Sequence, residues 1–201
     1  MTYTLGPAKA IPPFLNVMFF IDGGYLRKGF KDFVGHENIR LPELVRNLLN
    51  FELRFDDTKG EIVRIYYYDA QVEASDDPKK SEEQRIYFHD IGRLPDFEIR
   101  LGRLVKTGSG NYRQKGVDLL VAIDMLAKAF QNFYDVAVFI GGDDDFVDLM
   151  KTIKSLTNKR IYGICFKQNV SKRLLESFDR SAFITEEICR SYTLVKPQTK
   201  E

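Results

Sequence analysis

The chain has 201 residues and a mass of 23.3 kDa, is 44% hydrophobic and carries only seven prolines, so it can bury one substantial core, and its length favours one domain over two. Its 30 basic and 29 acidic residues leave a formal net charge of +1, which announces neither a nucleic acid nor a membrane and confines any polyanion site to a local patch. No apolar run approaches the roughly 18 residues needed to cross a bilayer, and residues 1–14 lack a basic start followed by a long apolar core, which sets the expectation of a soluble cytoplasmic protein.

Residues 1–14 read as an N-terminal extension, 15–193 as one compact domain and 194–201 as a tail. Val17-Met18-Phe19-Phe20-Ile21 is an unbroken apolar run with no solvated face, which predicts a buried parallel strand, and Asp22-Gly23-Gly24 follows at its carboxyl end. Leu41, Leu44, Val45, Leu48 and Leu49 fall at helical spacing, with Pro42 tolerated in the first turn. Ile62 to Tyr68 is β-branched and aromatic and predicts a second strand ending at Asp69, followed by a polar loop from Ala70 to Lys80.

Ser81 to Leu94 predicts a helix capped by Ser81, with Glu82 and Glu83 in the first turn where the helix dipole favours negative charge. Phe97 to Val105 alternates apolar with polar, the mark of a half-exposed strand, and Lys106 to Lys115 reads as a glycine-rich basic loop. Val117 to Phe130 is apolar nearly all round and predicts a helix buried against more than one neighbour. Val136 to Ile140 is the next buried strand, Phe146 to Leu156 a helix, and Arg160 to Phe166 a further strand. Ser171 to Phe178 and Thr185 to Tyr192 predict short helices, with Ala182 to Ile184 an edge strand between them. Strands alternating with helices imply an α/β fold with a central parallel sheet and helices on both faces, and in such folds ligands gather beyond the carboxyl ends of the strands.

The chemistry concentrates in Gly141-Gly142-Asp143-Asp144-Asp145-Phe146, where an apolar strand runs through two glycines into three adjacent carboxylates. Like charges this close raise one another's pKa, whereas a divalent cation keeps them ionised. Helix capping accounts for one of the three, or two at most. Asp22 ends the first strand and Asp118 begins an apolar helix without an evident local partner, so Asp22, Asp118, Asp143 and Asp145 are the candidate ligands of a hard cation, Mg2+ or Mn2+. An extended or turning backbone would face Asp144 away from Asp143 and Asp145, so it ranks below them, and Asp124 is spaced to pair with Lys128 four residues on. Asp69 opens a polar loop and reads as solvated. Tyr25, Arg27, Arg113, Lys115 and Lys172 are candidate contacts to a polyanion, the tyrosine by stacking on an unpaired base. Cys165 and Cys189 stand in no metal-binding or disulfide pattern.

Phe20-Ile21-Asp22-Gly23-Gly24-Tyr25-Leu26, Lys115-Gly116-Val117-Asp118 and Gly142-Asp143-Asp144-Asp145-Phe146, in this order and with Ser171, Leu174, Asp179, Phe183 and Ile184 beyond them, resemble the NYN domain family and within it the LabA-like proteins. That family belongs to the PIN-like nucleases. The resemblance implies a Rossmann-like PIN fold and an acidic Mg2+ or Mn2+ site for cleaving RNA, expected to be single-stranded, with Asp22, Asp118, Asp143 and Asp145 at the family's acidic positions. Many relatives carry Asn where this chain has Tyr25, a departure that bears on catalytic competence rather than on the fold. The chemistry implied is metal-assisted hydrolysis without a nucleophilic side chain.

A non-catalytic RNA-binding or regulatory module that keeps the acidic scaffold stays open beside the nuclease, and so does a homodimer. A phosphatase with an aspartyl nucleophile would want a second Asp where Gly24 stands, and the GGDEF cyclases carry their signature on a hairpin, whereas a helical pattern begins here at Phe146.

Overall fold

The computed structural model describes residues 14–53, 58–107 and 112–194. The extension over 1–14 and the tail over 194–201 therefore lie outside the described residues except for Phe14 and Leu194, as do residues 108–111 of the basic loop. The chain is mixed α/β. Strands β1 (Phe14–Asp22), β2 (Lys59–Val72), β3 (Phe97–Lys106), β4 (Tyr112–Lys115), β5 (Val136–Ile140), β6 (Arg160–Cys165) and β7 (Arg180–Phe183) form one sheet in the order β4-β3-β2-β1-β5-β6-β7. Every neighbouring pair is parallel except β3 with β4. Helices α1 (Gly23–Val34), α2 (Leu41–Asn47), α3 (Pro78–Gly92), α4 (Val117–Phe130), α5 (Val147–Leu156) and α6 (Lys172–Ser177) lie between the strands, and α7 (Glu186–Ser191) follows β7. Among the described residues no helix is long and apolar enough to cross a membrane.

Strand β1 sits in the middle of the sheet, and its side chains alternate between two packing groups as a period of two requires. Val17, Phe19 and Ile21 pack with Leu26 and Phe30 of α1, Leu44 of α2 and Phe88 of α3. Met18 and Phe20 pack instead with Val121 and Met125 of α4, Met150 of α5 and Leu174 of α6. Both sets are buried, which is why the sequence reads as continuously apolar rather than alternating.

Several elements differ from the sequence-based expectation. Helix α1 carries no prediction, because it opens on Gly23-Gly24, two poor helix formers. It forms because Asp22 caps it and because Leu26 and Phe30 reach the core. Helix α3 starts at Pro78, three residues before the predicted Ser81. Asp77 caps it by accepting from the Lys80 N–H at 3.0 Å, and Pro78, with φ already set, takes the first position. The helix from Leu41 ends at Asn47 and widens into a π-helical turn over Leu48–Glu52. Tyr112 to Lys115, predicted as loop, becomes an edge strand because the exposed rim of β3 supplies its hydrogen-bonding partners.

The largest correction concerns Asp69. Strand β2 runs on to Val72, so Asp69 lies inside it and is 1% exposed, not solvated. Its carboxylate receives both Nη atoms of Arg27, whose Nε reaches Glu37 at 3.2 Å and whose Nη1 reaches the Tyr67 hydroxyl at 3.1 Å. The partner that makes burial of Asp69 tolerable comes from α1, 42 residues away in sequence. Asp124, by contrast, behaves as its sequence spacing indicates: Lys128 donates to it at 3.1 Å, and Arg100 and the Tyr68 hydroxyl join at 2.9 and 3.1 Å. Asp69→Asn leaves the Arg27 guanidinium without its buried counter-charge, with only the half-exposed Glu37 remaining, and is expected to cost about 3 kcal/mol. Urea denaturation of the variant checks this, and a loss below about 0.5 kcal/mol, the range of an ordinary surface substitution, would show that the pair is not a structural anchor.

Candidate acidic site

Parallel pairing of β1 with β5 sets Ile21 beside Ile140, so the residues that follow both strands emerge at the same edge of the sheet. Asp22 is the last residue of β1 and the N-cap of α1, accepting from the Tyr25 N–H at 2.9 Å. Tight glycine contacts hold the turn: a Cβ on Gly23 would stand 2.4 Å from the Tyr67 ring, and one on Gly142 would stand 2.1 Å from the Asn169 carbonyl oxygen. Asp143 caps a short 3-10 turn over Asp144–Phe146 and accepts from the Asp145 N–H at 3.1 Å. Asp118 reaches the same edge from the second position of α4, after Gly116 turns the chain with a left-handed φ of 86°.

The four carboxylates do not all behave alike. Burial pushes the Asp22 carboxyl up from 3.8 to about 6, with the Asp118 charge adding to the rise and the Tyr25 N–H and Arg27 opposing it. Asp118 is also raised, first by burial and then by Asp143 and Asp145. These couplings tie Asp22 to Asp118, and Asp118 to the two acids after β5, across three separate stretches of chain. Asp144 stands apart, accepting from the Ser171 hydroxyl at 2.5 Å and from Arg173, and so pins the start of α6.

Two clefts open on the acidic edge. One, of about 440 Å3, is lined by Asp22, Tyr25, Lys28, Gln114, Asp143 and Asn169. The other, of about 430 Å3, is lined by Thr107, Arg113, Gln114, Lys115 and Asp118. Among the sequence-named contacts, Arg113 and Lys115 therefore face Asp118. The Tyr25 hydroxyl is taken by the Phe166 N–H at 2.8 Å and its ring packs on Phe166 with centroids 5.4 Å apart, while the residue lines the first cleft. Arg27 is drawn to Asp69 and Glu37 and lines a third cavity with Lys80 and Tyr87. Lys172 pairs with Glu176 at 3.6 Å and is not among the residues lining the two acidic clefts. Lys28, one of the basic residues after Asp22 that could meet a phosphate, lines the first cleft, whereas Gln114, Asn169 and Thr107 line the clefts without having been selected from the pattern; for Gln114 the only signal was its place between Arg113 and Lys115.

The donor chemistry fits a hard cation: carboxylate oxygens with raised pKa values gain from a bound positive charge, and such ions keep several waters and need few protein ligands. Among the described residues, however, no group of three or more His, Cys, Asp or Glu side chains is arranged to hold a metal ion on its own.

A mostly parallel α/β sheet carries an acidic cleft at the carboxyl edge of its central strands, and the family it matches places the chain among the nuclease-type domains of the PIN-like kind. The chain belongs to the NYN domain family, whose model matches residues 16–186. It is similar in structure to a crystallised protein of unknown function from Vibrio parahaemolyticus, with a TM-score of 0.65 at 16% identity, covering 92% of this chain and 99% of that one. At that identity the likeness speaks for the fold alone. No protein of curated function matches the chain in sequence.

In the folded chain Asp22 holds its proton up to about pH 6, whereas once unfolded it loses it near 3.8, so between those values the folded state binds more protons and stability falls as pH rises. Asp22→Asn keeps a capping side chain and is expected to be more stable than the parent by about 1 to 2 kcal/mol at pH 7.5 and to lose that advantage by pH 3.5, after discounting for partial solvent screening. Urea titrations at the two pH values, without divalent ions, read the difference directly, and a pH-independent difference would remove the shift.

Proposed function

We propose that this chain is a metal-dependent ribonuclease of the LabA-like branch, hydrolysing single-stranded RNA at the edge where Asp22, Asp118, Asp143 and Asp145 meet. The carrying observation is the electrostatic coupling of carboxylates from three separate segments beside clefts that also present Lys28, Arg113 and Lys115. The two packing groups around β1 support a Rossmann-like layering with helices on both faces, over a domain running from about 15 to 193.

In this reading Asp22, Asp118, Asp143 and Asp145 would hold Mg2+ or Mn2+. Bound there, such an ion supplies an activated water at neutral pH and neutralises charge on the phosphodiester. The chain's own side chains do the rest. Lys28 on one side and Arg113 and Lys115 on the other donate to phosphate oxygens and lay the backbone across the acidic edge. Asp144 takes no part, being committed to Ser171 and Arg173.

A non-catalytic RNA-binding module is the second reading. It is favoured by Tyr25, whose hydroxyl serves the Phe166 backbone, and by the lack of a three-ligand cluster among the described residues. Calorimetry with RNA separates the two, since binding without any divalent-dependent turnover supports the module.

Asp143→Asn keeps a good capping residue and is expected to stay folded while losing divalent-dependent RNA cleavage. Undiminished cleavage in the purified variant would remove the assignment. Mn2+ at about a hundred times its dissociation constant should stabilise the parent by about 2.7 kcal/mol, an increment the variant should lack and chelation should reverse. Thermal melts with and without Mn2+ measure it.

A further inference from the structure

The two clefts on the acidic edge share one residue, Gln114. Its Nε2 lies 2.8 Å, and Asp22 Oδ1 3.4 Å, from the point a Cβ on Gly24 would occupy, so the first turn of α1, the central carboxylate and the end of β4 meet there. Other amides nearby are engaged. Gln71 donates to the Ser81 carbonyl at 3.2 Å, Gln84 accepts from the Val72 N–H at 2.8 Å, and Asn169 donates to Asp32 at 3.5 Å. Tyr112, two residues before Gln114 on the same strand, lies under Lys80 at 4.2 Å. The Gln114 carboxamide is exposed and has no hydrogen-bonding partner among the described residues.

Phosphate oxygens only accept, and Lys28, Arg113 and Lys115 already supply donors for them. A carboxamide offers both a donor and an acceptor. On a nucleic-acid strand the group beside the acidic edge is the sugar-phosphate backbone, and its one group that both donates and accepts is the ribose 2′-hydroxyl, which DNA lacks. We infer that Gln114 is a specificity-determining residue that hydrogen-bonds the 2′-hydroxyl of a nucleotide lying between the two clefts, and so selects RNA over DNA. The inference rests on the RNA-cleaving reading for the strand's presence and adds the sugar choice.

The test is a scan of a single-stranded oligoribonucleotide with one 2′-deoxy substitution at each position in turn, on the full chain and on Gln114→Ala. Loss of one net hydrogen bond predicts that deoxy substitution at one position lowers kcat/KM of the parent by roughly 3- to 10-fold. Gln114→Ala should show the same loss on the all-ribose strand and no further loss at that position. Circular dichroism melts should be unchanged, since the side chain is exposed. A full deoxy penalty surviving in Gln114→Ala, or no position-specific penalty in the parent, overturns the inference. If the parent cleaves nothing with Mg2+ or Mn2+, the ribonuclease reading fails separately, and the same scan is read in affinity by fluorescence anisotropy. There, a penalty abolished by Gln114→Ala sustains the sugar contact, whereas an undiminished penalty, or no RNA binding at all, ends it.

Discussion

Parallel pairing of β1 with both of its neighbours is the constraint on which the molecule depends. Because β2, β1 and β5 run the same way, the residues that end them are delivered to one edge, and that edge receives Asp22, Asp143 and the acids after it. The arrangement places negative charges together that would separate in water, and it holds because β1 is buried on both sides among large apolar side chains. Core packing thus holds these acids together at one edge, and the raised carboxyl of Asp22 reflects its burial first and the neighbouring Asp118 charge second.

The same edge carries a compensating device. Arg27, one turn into α1, is held by Asp69 inside β2 and lowers the free energy of the Asp22 charge from a distance. Its partners fix where it stands, so it tunes the acidic edge without occupying either cleft. Asp144 does comparable work on the other side by anchoring the start of α6 through Ser171 and Arg173. Of the acidic residues along this edge, some shape the site and others tie down the elements that frame it, and the difference lies in whether a cation of the chain itself reaches them.

Elements whose burial is complete were readable from local pattern. Val136 to Ile140 has the bounds its apolar residues mark, because a strand packed on both faces must be apolar along its whole length. Val117 to Phe130 keeps its predicted bounds but not its predicted all-round burial, since Leu119, Ile123 and Phe130 are more than half exposed. Elements that rely on remote partners were not. Helix α1 begins on glycines and needs the Asp22 cap and the core beneath it; β4 needs the free rim of β3; Asp69 needs Arg27. Arg27 itself, read as a polyanion contact from its charge and place after Asp22, is drawn to an acid that local sequence could not assign to it.

The residue types that make the acidic edge, and the strand ends from which they project, were set by sequence alone, since a run of carboxylates after buried strands leaves few physical alternatives. Which of those side chains couple, which are neutralised by the chain's own cations, and that Gln114 stands beside Asp22, were decided by tertiary structure. The reason is range: periodicity encodes what lies within a turn or a strand, whereas charge coupling and cleft geometry depend on which distant segments the sheet order brings into contact.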